Sequence, residues 1–446
     1  MATEPSSPST PRTVQLATQI LQHTTSIESF LQKNGLPSPS FAPGTPPKLP
    51  LPPALEASLG AALGALDELN ALLLGPMGWL LQQVGHAYDL CSLHAMYRYK
   101  VPSQLGVDET VSITELAARC HADEDVMGRL VQHAMTNYLL LRPAPGQVAH
   151  SATSTLLASA PPLHDWIGSV CEDMWPAAAH VVPALAKWRD GGEEPTAEPN
   201  QTGHNLAEGS DVPFFDTLAR SPERARRFAS AMGMMQTMPG FEPAAALEGY
   251  DWGALVVPGN STDEKATATV VDVGGSAGTF AVALTDKHPD LHVVVQDAAA
   301  VISKARAELP ERSTGKVTLQ SHDFFTPQPV VGAGAYFFRM VLHDWPDAYC
   351  VRILRQLVPA LHPGARLVIN DFCIPPPGQT SLYHERQIRD KDIAMLAMFN
   401  SKERTVDEWI ALVAKADVRF RLRSVVHLPA SPLGLVEFIW GEEQER

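Results

Sequence analysis

Two different rhythms of apolar residues divide this chain. From Ala268 onward, apolar residues arrive in short unbroken runs: ATVVDV, LHVVVQD, KVTLQSHDF, AYFFRMVLHD and ARLVIND, with helix-like segments between most of them. Strands covered on both faces read as continuous apolar runs, and their alternation with helices predicts a mostly parallel sheet. Two last runs, RFRLRSVVHLP and LGLVEFIWG, are joined by a short SP-containing link and predict an antiparallel hairpin at the sheet edge. The expectation is a Rossmann-like α/β unit with a seven-stranded sheet.

Upstream, from Leu55 to about Tyr250, the signals are mainly helical. Thr13 to Asn34 predicts a helix stopped by Gly35. A proline-rich stretch from Pro37 to Pro53 follows, and its fixed φ and missing donors predict an extended strap, docked or loose. Ser112 and Glu115 form a capping-box pattern ahead of a short helix. Asp123 is a cap for a second helix, expected to bury Val126, Leu130, Ala134 and Tyr138. LLLRPAPGQVAHS then reads as strand, turn, strand. Two helices and a hairpin predict a winged helix, a unit that serves either DNA binding or dimerisation and packing. The expected organisation is an N-terminal helix and strap (1–54), a mainly helical dimerisation and substrate-lid domain (55–250) and a catalytic domain (251–446). Arg189 to Pro213 is polar and reads as a surface loop. The helix SPERARRFASAMGMMQTM carries Met232, Met234, Met235 and Met238, which fill core gaps or, at a position such as Met235, face a flat apolar ligand.

Charge narrows the choice. The formal net charge is −15, with no long block of Lys or Arg. Phosphate binding needs a concentrated positive face, so nucleic acid is a poor partner and packing is the better use of a winged helix. The start, MATEPSSPSTPRTVQLATQ, lacks the basic and apolar regions of a secretion signal. The apolar region around Ala61 to Val84 is interrupted by Asp67 and Glu68, and no membrane partner is expected. Five scattered cysteines give neither a disulfide framework nor a zinc site. Asn200-Gln201-Thr202 fits a glycosylation pattern, but a cytoplasmic location is the expectation and leaves it a chance match.

The strongest chemical signal is Val270-Val271-Asp272-Val273-Gly274-Gly275-Ser276-Ala277-Gly278, a strand running into a glycine-rich turn and a helix start. Glycines let the backbone approach a ligand closely. Asp297 ends the next strand 23 residues after Gly274, where an acid can accept from both hydroxyls of a ribose. The turn is not a dinucleotide G-x-G-x-x-G. Asp272, two residues before the first glycine, is ill suited to a pyrophosphate and well suited to a ligand with an ammonium and a sulfonium. That favours S-adenosylmethionine.

DVGGSAGTF, VVQD, HDFF, VLHDWPD and SKERTVDEW, in this order, resemble the plant- and fungal-type small-molecule O-methyltransferases over nearly all of Ala268 to Gly441. The resemblance implies an S-adenosylmethionine site in which Gly274, Gly275 and Gly278 approach the cofactor and Asp297 holds its ribose. Asp323 and Phe324 would flank the adenine, with Arg339 nearby. It also implies a homodimer built on the helical half. Trp345, Met395, Met398 and Phe399 would face the substrate, a small hydroxylated molecule of aromatic or polyketide type.

Methyl transfer from a sulfonium needs alignment and removal of one proton. A phenol with a pKa of about 10 is largely un-ionised at neutral pH. A neutral imidazole is a suitable general base, and His343, beyond the fourth strand, is the candidate. The resemblance supplies two orienting acids, Asp371 and Glu403. Asp371 stands where many members carry the longer Glu. Glu403 reads alternatively as a helix-start acid, and Asp344 as a cap or substrate contact. No histidine has metal-ligand spacing, so a metal-independent enzyme is expected. Two rivals remain: a non-methylating pericyclase- or dehydratase-like enzyme of the same fold, and a winged-helix regulator.

Overall fold

The computed structural model describes residues 10–189, 197–255, 268–428 and 431–441. The chain forms two compact units interleaved in sequence: Met1–Asp173 with Arg226–Ala231 and Pro377–Gln387, and Met174–Ala225 with Met232–Pro376 and Ile388–Arg446. The boundaries differ from those expected. In the first unit the helix Arg12–Lys33 packs along the 46-residue helix Pro53–Arg98. The second unit also claims much of 174–250, because Trp252, Phe241 and Leu247 belong to the core beneath its sheet.

In the first unit the proline-rich strap is docked. Phe41 stacks on Tyr138 with ring centroids 4.3 Å apart, and its carbonyl accepts the amide of Ala152 at 2.8 Å. The long helix turns at Gly75, whose φ of 65° no ordinary helical residue adopts, followed by Pro76. It is the one helix among the described residues long and apolar enough to cross a bilayer. Asp67 and Glu68 lie within it, paired with Arg386 at 2.8 Å and Arg12 at 2.6 Å. Leu73, Met77, Leu80, Leu81 and Val84 remain exposed along it.

Strands β1 (Thr110–Ser112), β2 (Leu140–Leu141) and β3 (Gln147–His150) form a small antiparallel sheet in the order β1-β3-β2, beside the helices Ile113–Arg119 and Glu124–Thr136. Ser112 accepts the amide of Glu115 at 3.1 Å, and Asp123 that of Val126 at 3.0 Å. The buried residues of the second helix are Met127, Gly128, Val131, Ala134 and Met135; of the expected four, Ala134 is buried and Leu130 half-buried. Val126 and Tyr138 are exposed. Asp123 binds the amide of Val126, and the face turned inward falls one residue later.

The second unit holds the seven-stranded sheet, in the order β6-β5-β4-β7-β8-β10-β9. Its strands are β4 (Ala268–Val273), β5 (Leu291–Asp297), β6 (Val317–Ser321), β7 (Ala335–Arg339), β8 (Arg366–Phe372), β9 (Phe420–His427) and β10 (Leu433–Trp440). The first five are parallel; β10 pairs antiparallel with β8 and with β9. Alternate residues supply two cores. Val271, Val273, Tyr336, Phe338, Leu367 and Ile369 face one side, while Val270, Val293, Val295, Phe337 and Val368 face the other. After β4 the chain adds β5 and β6 on one side and then β7 on the other. The strand order therefore reverses between β4 and β7, and a crevice for a ligand opens at their carboxyl ends. The glycine-rich loop follows β4, and His343 follows β7.

The observed helix face is testable by denaturant unfolding. Met127→Ala is expected to destabilise by about 2–5 kcal/mol, as for other buried Met sites. Val126→Ala should change stability by less than about 0.5 kcal/mol, as exposed positions do.

Candidate active site

Five residues, Gly274 to Gly278, turn the chain from β4 into the helix Thr279–Lys287. Gly274 and Gly278 have φ near +76° and +77°, and Ser276 also has positive φ. The amides of Gly274 and Gly275 donate to the carbonyl of Gln296 at 2.7 and 3.1 Å, tying the loop to β5. A Cβ on Gly275 would lie 2.5 Å from Asp272 Oδ2 and 2.8 Å from Val295; one on Gly274 would lie 2.7 Å from Val341. The loop is a cradle that side chains would fill.

Asp272 is buried at the floor of this loop. Its Oδ2 has no hydrogen-bond partner among the described residues. Burial pushes the carboxyl up to about 7, with Arg339 opposing and Asp297 adding to the rise. An uncompensated buried acid beside a bare backbone fits a cationic ligand, as the sequence pattern implied. At the end of β5, Asp297 accepts the amides of Ser276 at 2.9 Å and Ala298 at 2.8 Å. Burial raises its pKa, and those two amides work against the rise.

Asp323 is exposed and accepts the amide of Phe325 at 3.0 Å. Phe324 is half-buried and packs edge-on to Trp345, with centroids 5.8 Å apart. Arg339 donates to the carbonyl of Phe241 and to Asn370 Oδ1, so its guanidinium is engaged within the protein while its charge still acts on Asp272.

His343 sits in a single 3₁₀ turn, Leu342–Asp344, entered through Met340 with φ +51°. It is 6% exposed. Its Nδ1 lies 2.9 Å from Glu403 Oε1 and 3.7 Å from Asp371 Oδ1; its Nε2 lies 3.6 Å from Asp344 Oδ1. Glu403 is thus the ring's hydrogen-bond partner. Asp371 is too short to bond the ring, and accepts the backbone amides of His343 at 3.3 Å and Phe372 at 3.1 Å. The next helix is capped by Thr405 with Glu408, which leaves Glu403 outside the cap and available to His343. Asp344 faces the ring and does not cap the following helix, Asp347–Leu357, whose N-cap position is Pro346 and which has no side-chain cap.

Burial disfavours a charged ring at His343, but Asp371, Glu403 and Asp344 outweigh it and hold its pKa well above the ordinary value. Three acids share one cation, so they are not all favoured as anions. Burial drives Asp344 up to about 7, and drives Asp371 upward as well, both against the pull of His343.

Phe215 and Phe399 stack with centroids 5.4 Å apart, and Phe215 lies 6.4 Å from Trp345, giving an aromatic wall. Met398 and Phe399 are buried, whereas Met395 and Met235 are half-buried. Met235 packs against the sheet core together with Met238. Met395, Met398 and Phe399 lie in the last turns of the helix Leu382–Phe399. Ser401, Asp392 and Phe215 had no individual signal in the sequence.

A family model for an O-methyltransferase domain matches residues 198–419. The chain is 37% identical to the O-methyltransferase pyvH of Aspergillus violaceofuscus, over 96% of this chain and 99% of that protein. The chain belongs to the S-adenosylmethionine-dependent O-methyltransferases. This O-methyltransferase is also 33% identical to the chlorophenol O-methyltransferase of Trichoderma longibrachiatum, over 97% of its own length and 91% of the relative. In fold it is similar to a solved pericyclic reaction enzyme, with a TM-score of 0.72 and 23% identity, over 95% of this chain and all of that one. That likeness concerns the fold alone.

Because His343 is held above the ordinary histidine pKa, any step that needs its neutral ring should rise with pH through a midpoint above the ordinary histidine value. Glu403→Gln removes one stabilising charge and is expected to move that midpoint to lower pH while lowering the plateau. A pH–kcat profile with an unmoved midpoint would contradict this electrostatic assignment.

Proposed function

We propose that this enzyme methylates a phenolic or enolic hydroxyl of a small aromatic or polyketide-type metabolite, with His343 as general base. The observation that carries the reading is the buried His343–Glu403 contact of 2.9 Å at the sheet's switch point. Glu403 accepts from Nδ1, which leaves Nε2 as the proton-accepting atom of the neutral ring. Asp371 fixes the backbone at His343 and adds negative charge. Once the acceptor proton is on Nε2, the imidazolium is stabilised by Glu403, Asp371 and Asp344.

S-adenosylmethionine supplies an activated methyl group on a sulfonium. Gly274, Gly275 and Gly278 would lie along it, Asp272 would meet its positive charge, and Asp297 would hold its ribose. Asp323 and Phe324 would flank the adenine, with the charge of Arg339 close by. Trp345, Phe399, Met395, Met398 and Met235 would shape the acceptor's surroundings, with Met398 and Met235 acting from behind the surface. The name of the chlorophenol relative favours a phenolic acceptor. We further read the protein as a cytoplasmic homodimer, with the exposed apolar side of the helix Pro53–Arg98 covered by a second copy. The rival non-methylating reading shares the fold, but sequence relatives at 33–37% identity carry O-methyltransferase names.

S-adenosylhomocysteine release with a panel of phenolic acceptors tests the reading. His343→Ala is expected to slow it by at least ~10²-fold, the low end for a general base. The donor atoms of His343, Asp371 and Glu403 lie within 4.8 Å of one another. The proposed base nevertheless works without a metal, so EDTA should leave the rate unchanged. Turnover of the acceptor without S-adenosylhomocysteine release would favour the non-methylating rival.

A further inference from the structure

His343 owes its place to a short loop, and that loop is held from below by side chains to which no role has yet been assigned. The carbonyl of Leu342 accepts Arg404 Nη1 at 3.2 Å, and the carbonyl of Trp345 accepts Arg404 Nη2 at 2.9 Å. Between them, Ser401 Oγ donates to the carbonyl of His343 and, at 2.8 Å, to that of Trp345. The backbone on either side of the ring is therefore clamped by one segment of chain, residues 401–404.

That same segment delivers Glu403 to the other side of the ring. Its own position is fixed twice. The amide of Glu403 donates to Asp392 Oδ1 at 2.9 Å, and the amide of Ile374 donates to the carbonyl of Arg404 at 3.0 Å. A parallel bridge between Cys373 and Arg404 continues the line of β8.

Arg404 is completely buried, and all five of its N–H donors have acceptors. Nε and one Nη2 hydrogen go to Asp347 Oδ1 at 3.1 and 2.8 Å, and the remaining three go to the carbonyls of Leu342, Lys402 and Trp345. The guanidinium carbon lies 4.8 Å from the ring centroid of Trp409. A planar fork can satisfy this set, whereas an ammonium has only three donors and no flat face.

We infer that Arg404 is a positioning residue: it locks the loop bearing His343 and the segment bearing Glu403 into a single register. The inference rests on His343 being the base. Glu403 and Arg404 are adjacent in sequence, so a shift of Arg404 moves the acid and the loop it serves together. A displacement of ~1 Å at a reacting group can cost about 10²-fold in rate.

A double-mutant cycle with Glu403→Gln tests this, read by NMR titration of the His343 ring in histidine-labelled protein. The His343 resonance is identified by its loss in His343→Ala, so no acceptor is needed. Arg404→Lys keeps the charge but loses the fork. In the wild-type background it should lower the His343 titration midpoint towards that of Glu403→Gln. In the Glu403→Gln background it should change the midpoint little, since the contact it protects is already gone. Acceptor turnover should follow the same pattern, with a fall in kcat of about 10-fold or more only where Glu403 is present.

An equal shift in both backgrounds, or none in either, would overturn the positioning role. If Glu403→Gln itself leaves the midpoint unchanged, the contact Arg404 is held to protect is absent and the positioning role is overturned; a kcat that His343→Ala leaves unchanged would sink the base assignment instead. Should Arg404→Lys not fold, Ser401→Ala releases the His343 and Trp345 carbonyls with a smaller change in volume. It should give the same non-additive pattern, and additivity there would equally sink the inference.

Discussion

A histidine buried among three acids is the constraint around which this catalytic unit is arranged. A single acid at 2.9 Å would orient the ring; three, all within 3.7 Å of ring nitrogens, create a local excess of negative charge. Burying charges without pairing is costly, so each acid needs further support. Asp371 finds it in two backbone amides, and Glu403 in the ring itself. Burial raises the pKa of Asp344 to about 7.

The sheet makes that arrangement possible. β4 and β7 are neighbours, yet the chain leaves them in opposite directions, which opens the crevice where the glycine loop and the His343 turn meet. Asp272 and His343 sit at the ends of adjacent strands, one suited to a cationic donor and the other to an acceptor proton. Both lie in ground that excludes water, where charges act strongly. Arg339, between them in sequence, is satisfied by Asn370 and a carbonyl, so its charge is fixed in place.

Much of this was legible in the sequence because apolar runs and glycine turns have direct geometric consequences. The seven strands, the edge hairpin and the caps at Ser112 and Asp123 follow from pattern and spacing, whereas the acids Asp371 and Glu403 were implied by the family resemblance. Three things did not. The inward face of the helix Glu124–Thr136 depends on how its cap meets the neighbouring core, and a shift of one residue turns it by about 100°. Whether Asp371 or Glu403 reaches the ring depends on side-chain length across a tertiary gap. Arg404 stood within a recognised motif, but only the folded chain reveals three carbonyls converging on its guanidinium.

The most direct test of the account varies the acceptor rather than the enzyme alone. Rates of methyl transfer for wild type and His343→Ala would be compared across a series of substituted phenols whose pKa values span the assay pH. A base is needed only while the acceptor holds its proton. The account predicts a large wild-type advantage for weakly acidic phenols that shrinks towards unity as the acceptor becomes ionised in solution. An advantage that stays constant across the series would contradict it, and would assign His343 to shaping the site rather than taking the proton.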